Sequence, residues 1–129
     1  MKILVVDDEE ALRYFLKSKL TRAGHEVWEA ENGQVALAIW QRESIRIVIT
    51  DWMMPVMDGS DLIREIRAST ARDYTYIILL TVWNDEESVA QQKKVNANDF
   101  LTKPFRTDDV LERVKKAEHL LSRERPSPS

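Results

Sequence analysis

The sequence predicts a single α/β domain built on an open parallel sheet with helices on both faces. Two observations carry this. Short apolar runs alternate with amphipathic stretches five times along the 129 residues. The runs are rich in Ile, Val and Leu and do not alternate with polar residues, as strands buried on both faces require. A third observation concerns where the polar residues fall. Lys2-Ile3-Leu4-Val5-Val6 runs into Asp7-Asp8, and Ile45-Arg46-Ile47-Val48-Ile49-Thr50 runs into Asp51. Ile77-Ile78-Leu79-Leu80 ends in Thr81, and Phe100-Leu101-Thr102 ends in Lys103-Pro104. In an open parallel sheet, ligands bind at the carboxyl ends of the strands.

The elements follow in order. Lys2 to Val6 is the first strand. A helix from about Glu9 to Ala23 has Leu12, Phe15, Leu16, Lys19 and Leu20 along one stripe and ends at Gly24. His25 to Glu29 is a short strand. Asn32 caps the next helix, whose inner face is Val35, Ala36, Ile39 and Trp40. Ile45 to Thr50 is the third strand. Asp58-Gly59 makes a turn, and a helix from about Ser60 to Ala68 turns Leu62, Ile63 and Ile66 inward. Tyr76 to Leu80 is the fourth strand. Asn84 with Glu87 forms a capping pair for a helix reaching about Val95. Asp99 to Thr102 is the fifth strand, and Thr107 starts the last helix. There Val110, Val114, Ala117 and Leu121 read as a face packed on the sheet, or as the start of a dimeric connector. Residues 1–122 form the domain, and 123–129 have the Pro/Ser composition of a linker or disordered tail.

Bulk properties exclude several classes. The chain holds one core and not two. A formal net charge of −3, with no basic patch, gives no reason to expect direct nucleic-acid binding. With no cysteine, disulfides and thiolate metal sites are excluded. No apolar run approaches the roughly 20 residues that span a bilayer. The first strand begins within two residues of Met1, leaving no room for a signal peptide, so the expected location is the cytoplasm, away from the membrane.

The strand ends suggest a chemistry. Two like charges about 4 Å apart repel by roughly 4 kcal/mol at an effective dielectric near 20. Asp7, Asp8 and Asp51 brought together would therefore need a cation or would partly protonate. Oxygen-only ligands suit Mg²⁺, with phosphate oxygens completing its shell. Asp51 is the candidate nucleophile, since carboxylates form acyl phosphates. Lys103 would pair with a phosphoryl oxygen as a compact charge, and Thr81 would donate its hydroxyl to another. Blander readings exist for each. Asp7-Asp8 would suit a helix N-terminus, Thr81 a strand end, and Lys103 a solvated surface. Their joint occurrence at successive strand ends favours the functional reading.

Val5-Val6-Asp7-Asp8-Glu9, Asp51-Trp52-Met53-Met54-Pro55 with Asp58-Gly59, Thr81, and Phe100-Leu101-Thr102-Lys103-Pro104-Phe105 together resemble the receiver domain of bacterial two-component response regulators. The likeness runs from Lys2 to about Leu121. It implies a flavodoxin-like three-layer sandwich with five helices and strand order 2-1-3-4-5. It implies that Asp51 accepts a phosphoryl group from a histidine kinase or phosphotransfer protein, with Mg²⁺ as cofactor. Asp8, Asp51 and the main-chain carbonyl of Met53 match the metal ligands, and Asp7 matches a carboxylate acting through water. Thr81 and Lys103 match the phosphoryl-binding pair. Thr81 and Phe100 match the switch residues, although Phe100 also reads as an ordinary core aromatic. The Lys103-Pro104 bond matches one that is usually cis. The output face would be the fourth helix, fifth strand and fifth helix, roughly Asp85 to Leu121. Such a domain is a signalling element, with self-phosphorylation and self-dephosphorylation as its only chemistry. A homodimer formed on phosphorylation is compatible with it, and the output domain or partner is open.

Three departures from the family pattern bear on rate. Val82 follows Thr81 where a small residue is usual. Trp83 and Met53 are bulky at positions that tune hydrolysis, so a long-lived phosphorylated state is expected. Asn96 stands where glycine is common, and Asn tolerates positive φ. Two rival readings exist: a Mg²⁺-dependent phosphatase, disfavoured because Asp7-Asp8-Glu9 lacks the D-x-D spacing, and an interaction module working without phosphorylation. The segments around Asp51 and Thr81 are also similar to receivers placed ahead of cyclic-dinucleotide or phosphatase output domains.

Overall fold

A computed structural model describes residues 1–52, 54–69, 73–82, 90–92 and 94–124. Five strands, β1 (Lys2–Val6), β2 (Glu26–Ala30), β3 (Ile47–Asp51), β4 (Tyr76–Thr81) and β5 (Asp99–Thr102), form one parallel sheet of order β2-β1-β3-β4-β5. Helices α1 (Glu10–Arg22), α2 (Gly33–Glu43), α3 (Gly59–Ala68) and α5 (Thr107–Glu124) connect and flank it. The described residues of α4 are 90–92 and 94. This is the flavodoxin-like three-layer sandwich expected from the sequence.

Each strand feeds two cores because successive side chains point to opposite faces. Ile3, Val5, Ile47, Ile49, Ile78 and Leu80 pack beneath α1 and α5, with Leu16, Leu20, Val110, Val114, Ala117 and Leu121. Leu4, Val6, Val48, Ile77 and Leu79 pack on the other side, with Ala36, Leu62, Ile63 and Ile66. Burying one such aliphatic side chain contributes about 1.5–3 kcal/mol. The periodic face of α5 therefore lies on the sheet. This core holds rigid the strand ends that carry the polar residues.

Some local readings need correction. Phe15 is 42% exposed, because Leu12, Leu16 and Leu20 at four-residue spacing take the inner line and Phe15 falls on its flank. Its ring instead lies beneath the ammonium of Lys19, 5.6 Å from the centroid. Val35 is 40% exposed, since the smaller Ala36 takes the contact with the sheet. β2 starts one residue later than expected, and β3 starts at Ile47 although Ile45 is buried. Asp58 is the N-cap of α3 and accepts from the Asp61 amide, so the helix begins at Gly59 and not Ser60. Asn32 caps α2 as expected, accepting from the Val35 amide. The positive-φ residues described are Gly24, Ser44 and Val56; Asn96 is not among them. The capping pair Asn84 and Glu87, with Met53, Trp83 and residues 125–129, lies outside the described residues. α5 runs through Glu124, past the expected domain end at 122.

Candidate functional site at the carboxyl end of the sheet

β1, β3, β4 and β5 end side by side, and each ends in a polar residue or runs directly into one. The Asp7 amide still bonds to the Ala30 carbonyl of β2, so Asp7 continues the β1 line. Asp51 is the last residue of β3, in register with Leu80. Thr81 ends β4 opposite Thr102 of β5, and the Lys103 amide donates to the Thr81 carbonyl at 2.7 Å. A cis Lys103-Pro104 peptide follows. Gly59 makes room for Asp51: a Cβ there would overlap the Asp51 main-chain oxygen.

Asp7, Asp8 and Asp51 each present a carboxylate oxygen, all within 4.8 Å of one another. Their environments differ. Asp7 is fully buried, Asp51 is half-buried and Asp8 is exposed. Asp7 Oδ1 accepts from the Glu9 amide, and its Oδ2 accepts from Lys103 Nζ at 2.9 Å. Lys103 Nζ also stands 3.5 Å from Asp51 Oδ2 and 3.9 Å from Glu9 Oε1. Asp51 Oδ1 accepts from the Trp52 amide at 2.8 Å.

Burial, and then the neighbouring Asp7 charge, raise the Asp51 pKa above the ordinary carboxylate value; Lys103 and the Trp52 amide offset part of this. Burial alone would lower the Lys103 pKa. The hydrogen bond to Asp7 and the charges of Asp51, Asp7 and Glu9 outweigh burial and raise it, so the ammonium stays charged.

The residues fit a hard divalent cation. The donors are carboxylate oxygens, as Mg²⁺ prefers, and the excess negative charge of three carboxylates against one ammonium favours a cation. The Thr81 hydroxyl is buried and makes no hydrogen bond among the described residues, so a donor is free for an acceptor group brought to the site.

Six of the residues singled out in the sequence thus fall as follows. Asp7, Asp8, Asp51 and Lys103 converge, and Thr81 ends the neighbouring strand. Phe100 lies apart on β5, partly buried against the core beneath α2 and α3. Val82 is half exposed. The sequence reading missed Arg13, which reaches from α1 to the Asp7 carbonyl. It also missed Glu9 as a neighbour of Lys103. A lone arginine on a polar helix face gives no pattern that would reveal a bond to main chain.

Comparison with known proteins points the same way. The family model described as the response regulator receiver domain matches residues 3–115. The chain is similar to a chemotaxis protein CheY homolog of Campylobacter jejuni, 39% identical over 113 residues that cover 86% of each. It is also 39% identical over 114 residues to the transcriptional regulatory protein ResD of Bacillus subtilis, covering 88% of this chain and 46% of that one. Among solved structures it resembles the signal receiver domain of a histidine kinase from Syntrophus aciditrophicus (TM-score 0.88, 29% identity, 99% of this chain and 95% of that). It also matches a response regulator/GGDEF domain protein (TM-score 0.86, 32% identity, 95% of this chain and 50% of that). No helix among the described residues is long and apolar enough to cross a membrane.

Proposed function

The chain belongs to the response regulator receiver family, phosphoryl-accepting domains of two-component signalling, and from that premise we propose that Asp51 is the acceptor, served by Asp7, Asp8, Thr81 and Lys103. The carrying observation is the Lys103 ammonium held between the buried Asp7 and Asp51, 2.9 Å and 3.5 Å away. Asp8, Asp51 and the Met53 carbonyl would hold Mg²⁺, with Asp7 acting through water. When bound, that ion supplies charge neutralisation to the transferring group. A carboxylate oxygen of Asp51 attacks phosphorus, and the bond to the donor's leaving group breaks, leaving an acyl phosphate on Asp51. Lys103 pairs with one phosphoryl oxygen, and the unengaged Thr81 hydroxyl donates to another.

The phosphoryl group adds charge and acceptors next to Thr81. It shifts a two-state equilibrium only as far as it contacts the two states differently. A change from 1:99 to 99:1 takes about 5.5 kcal/mol. Thr81 and Phe100 are the proposed moving parts, and α4, β5 and α5 the face that an output partner reads. The donor is a histidine kinase or phosphotransfer protein, and the expected setting is the cytoplasm. Self-phosphorylation from a small phosphodonor and slow self-dephosphorylation are the only reactions proposed.

The test is intact mass after incubation with Mg²⁺ and a small phosphodonor, beside Asp51→Asn. One added phosphoryl group on the parent, absent from the variant, is the expected result. No addition to the parent would move the reading to an interaction module that works without phosphorylation.

A further inference from the structure

We infer that Arg13 is a positioning residue for the acidic pocket, which it holds through main chain from outside. This rests on the reading of Asp8 and Asp51 as cation ligands. Arg13 lies on α1, and its side chain is only 15% exposed. Its Nη1 donates to the Asp7 main-chain carbonyl at 2.8 Å. Its Nε faces Glu29 Oε1 on β2 at 3.4 Å, and Lys17 steadies that carboxylate from 3.5 Å.

The carbonyl that Arg13 grips belongs to the peptide joining Asp7 to Asp8. Every other polar group of Asp7 is already tied. Its amide is held by Ala30, and its two carboxylate oxygens by the Glu9 amide and Lys103. Asp8 differs. Its side chain is exposed and makes no hydrogen bond or ion pair among the described residues. The plane of the Asp7–Asp8 peptide therefore decides where the Asp8 carboxylate points, and Arg13 sets that plane. Glu29 pairs with the guanidinium by charge, without a hydrogen bond at Nε among the described residues, so β2 supports the pocket although it contributes no side chain to it.

This role and plain electrostatics predict opposite signs. Removing a cation near three carboxylates should tighten binding of a divalent ion. Removing a group that orients a ligand should weaken it, typically by about 10-fold or more. The experiment titrates Mg²⁺ against intrinsic tryptophan fluorescence for the parent, Arg13→Met, Arg13→Lys and Glu29→Gln. Urea unfolding in EDTA runs alongside, so that loss of fold is read separately. The expected result is about tenfold weaker Mg²⁺ binding by folded Arg13→Met. Arg13→Lys should recover only part of this, since an ammonium cannot hold the carbonyl and Glu29 together as a planar fork does. Glu29→Gln should shift affinity less, in the same direction. Unchanged or tighter binding in the variants, with a normal parent response, overturns the inference. Should Arg13→Met fail to fold, Arg13→Lys decides in the same way, because it keeps the charge and changes only the geometry. A parent that shows no Mg²⁺ response overturns the cation-site reading and this inference with it.

Discussion

Lys103 lies closer to Asp7 than to Asp51, 2.9 Å against 3.5 Å between the ammonium and the nearest carboxylate oxygen. Asp7 is fully buried, and among the described residues its other oxygen is held by the Glu9 amide alone. The lysine neutralises a buried carboxylate and, in the mechanism we propose, also pairs with the phosphoryl group on Asp51. Lys103→Met should lose both. The uncompensated Asp7 charge should cost about 2 kcal/mol in urea unfolding. Phosphoryl addition from a small donor should fall at least about tenfold, as removal of one charge-stabilising donor typically causes. A variant as stable as the parent would show that Asp7 is satisfied by other means.

Gly59 is where a single methyl group should reach the chemistry. A Cβ would overlap the Asp51 carbonyl oxygen, which is main chain and cannot swing aside. Gly59→Ala should cost about 1–3 kcal/mol and displace Asp51, so phosphoryl addition should fall as well. Leu62→Ala, in the same helix and fully buried, should cost about 2–5 kcal/mol yet leave addition by the folded protein near parental. Equal losses of addition in both variants would mean that stability, not the position of Asp51, controls the reaction.

Val56 stores strain in the segment between β3 and α3. Its φ is +70°, in the left-handed region, and its side chain is 76% exposed with little packing to compensate. A β-branched residue there costs about 1–2 kcal/mol. Val56→Asn should raise stability by about 1 kcal/mol, seen as a higher urea midpoint at unchanged m. No gain would show that the loop takes another conformation in solution.

Most of the fold was legible because both faces of the sheet are buried. Unbroken runs such as Tyr76 to Leu80 leave little choice of element, and polar residues ending four such runs mark the mouth. Legibility failed where a decision depended on a neighbour in space. Phe15 and Leu16 are equally apolar, and only the line through Leu12 and Leu20 decides which is covered. Asp58 read as part of a turn because capping and turn chemistry use the same residues. Arg13 acts on a carbonyl, which has no residue type to recognise. The strain at Val56 runs against its own backbone preference, so no sequence rule would place it there.

Val82 provides a test of access. It directly follows Thr81 in the chain and is 51% exposed. Val82→Ala should speed both phosphoryl addition and loss by a few fold, measured by intact mass over time; a factor of ten corresponds to about 1.4 kcal/mol of barrier. Unchanged rates in both directions would remove the crowding argument for a long-lived phosphorylated state.

His25 makes stability depend on pH at a point away from the acidic mouth. Its side chain is 8% exposed, Nδ1 is buried without a partner among the described residues, and Nε2 stands 3.9 Å from Glu118 Oε1 on α5. Burial lowers its pKa from the ordinary value of 6.5; Glu118 opposes the shift and the N-terminal ammonium adds to it, and burial prevails. The unfolded chain therefore binds this proton more tightly than the folded one. Stability should be full above pH 6.5 and fall as pH drops from there through the folded-state pKa. His25→Gln should remove this component of the pH dependence of urea unfolding. Glu118→Gln, which takes away the charge that opposes the shift, should deepen it. If His25→Gln and the parent lose stability in parallel across that window, the acid sensitivity belongs to other groups and the imidazole is more solvated than its burial implies.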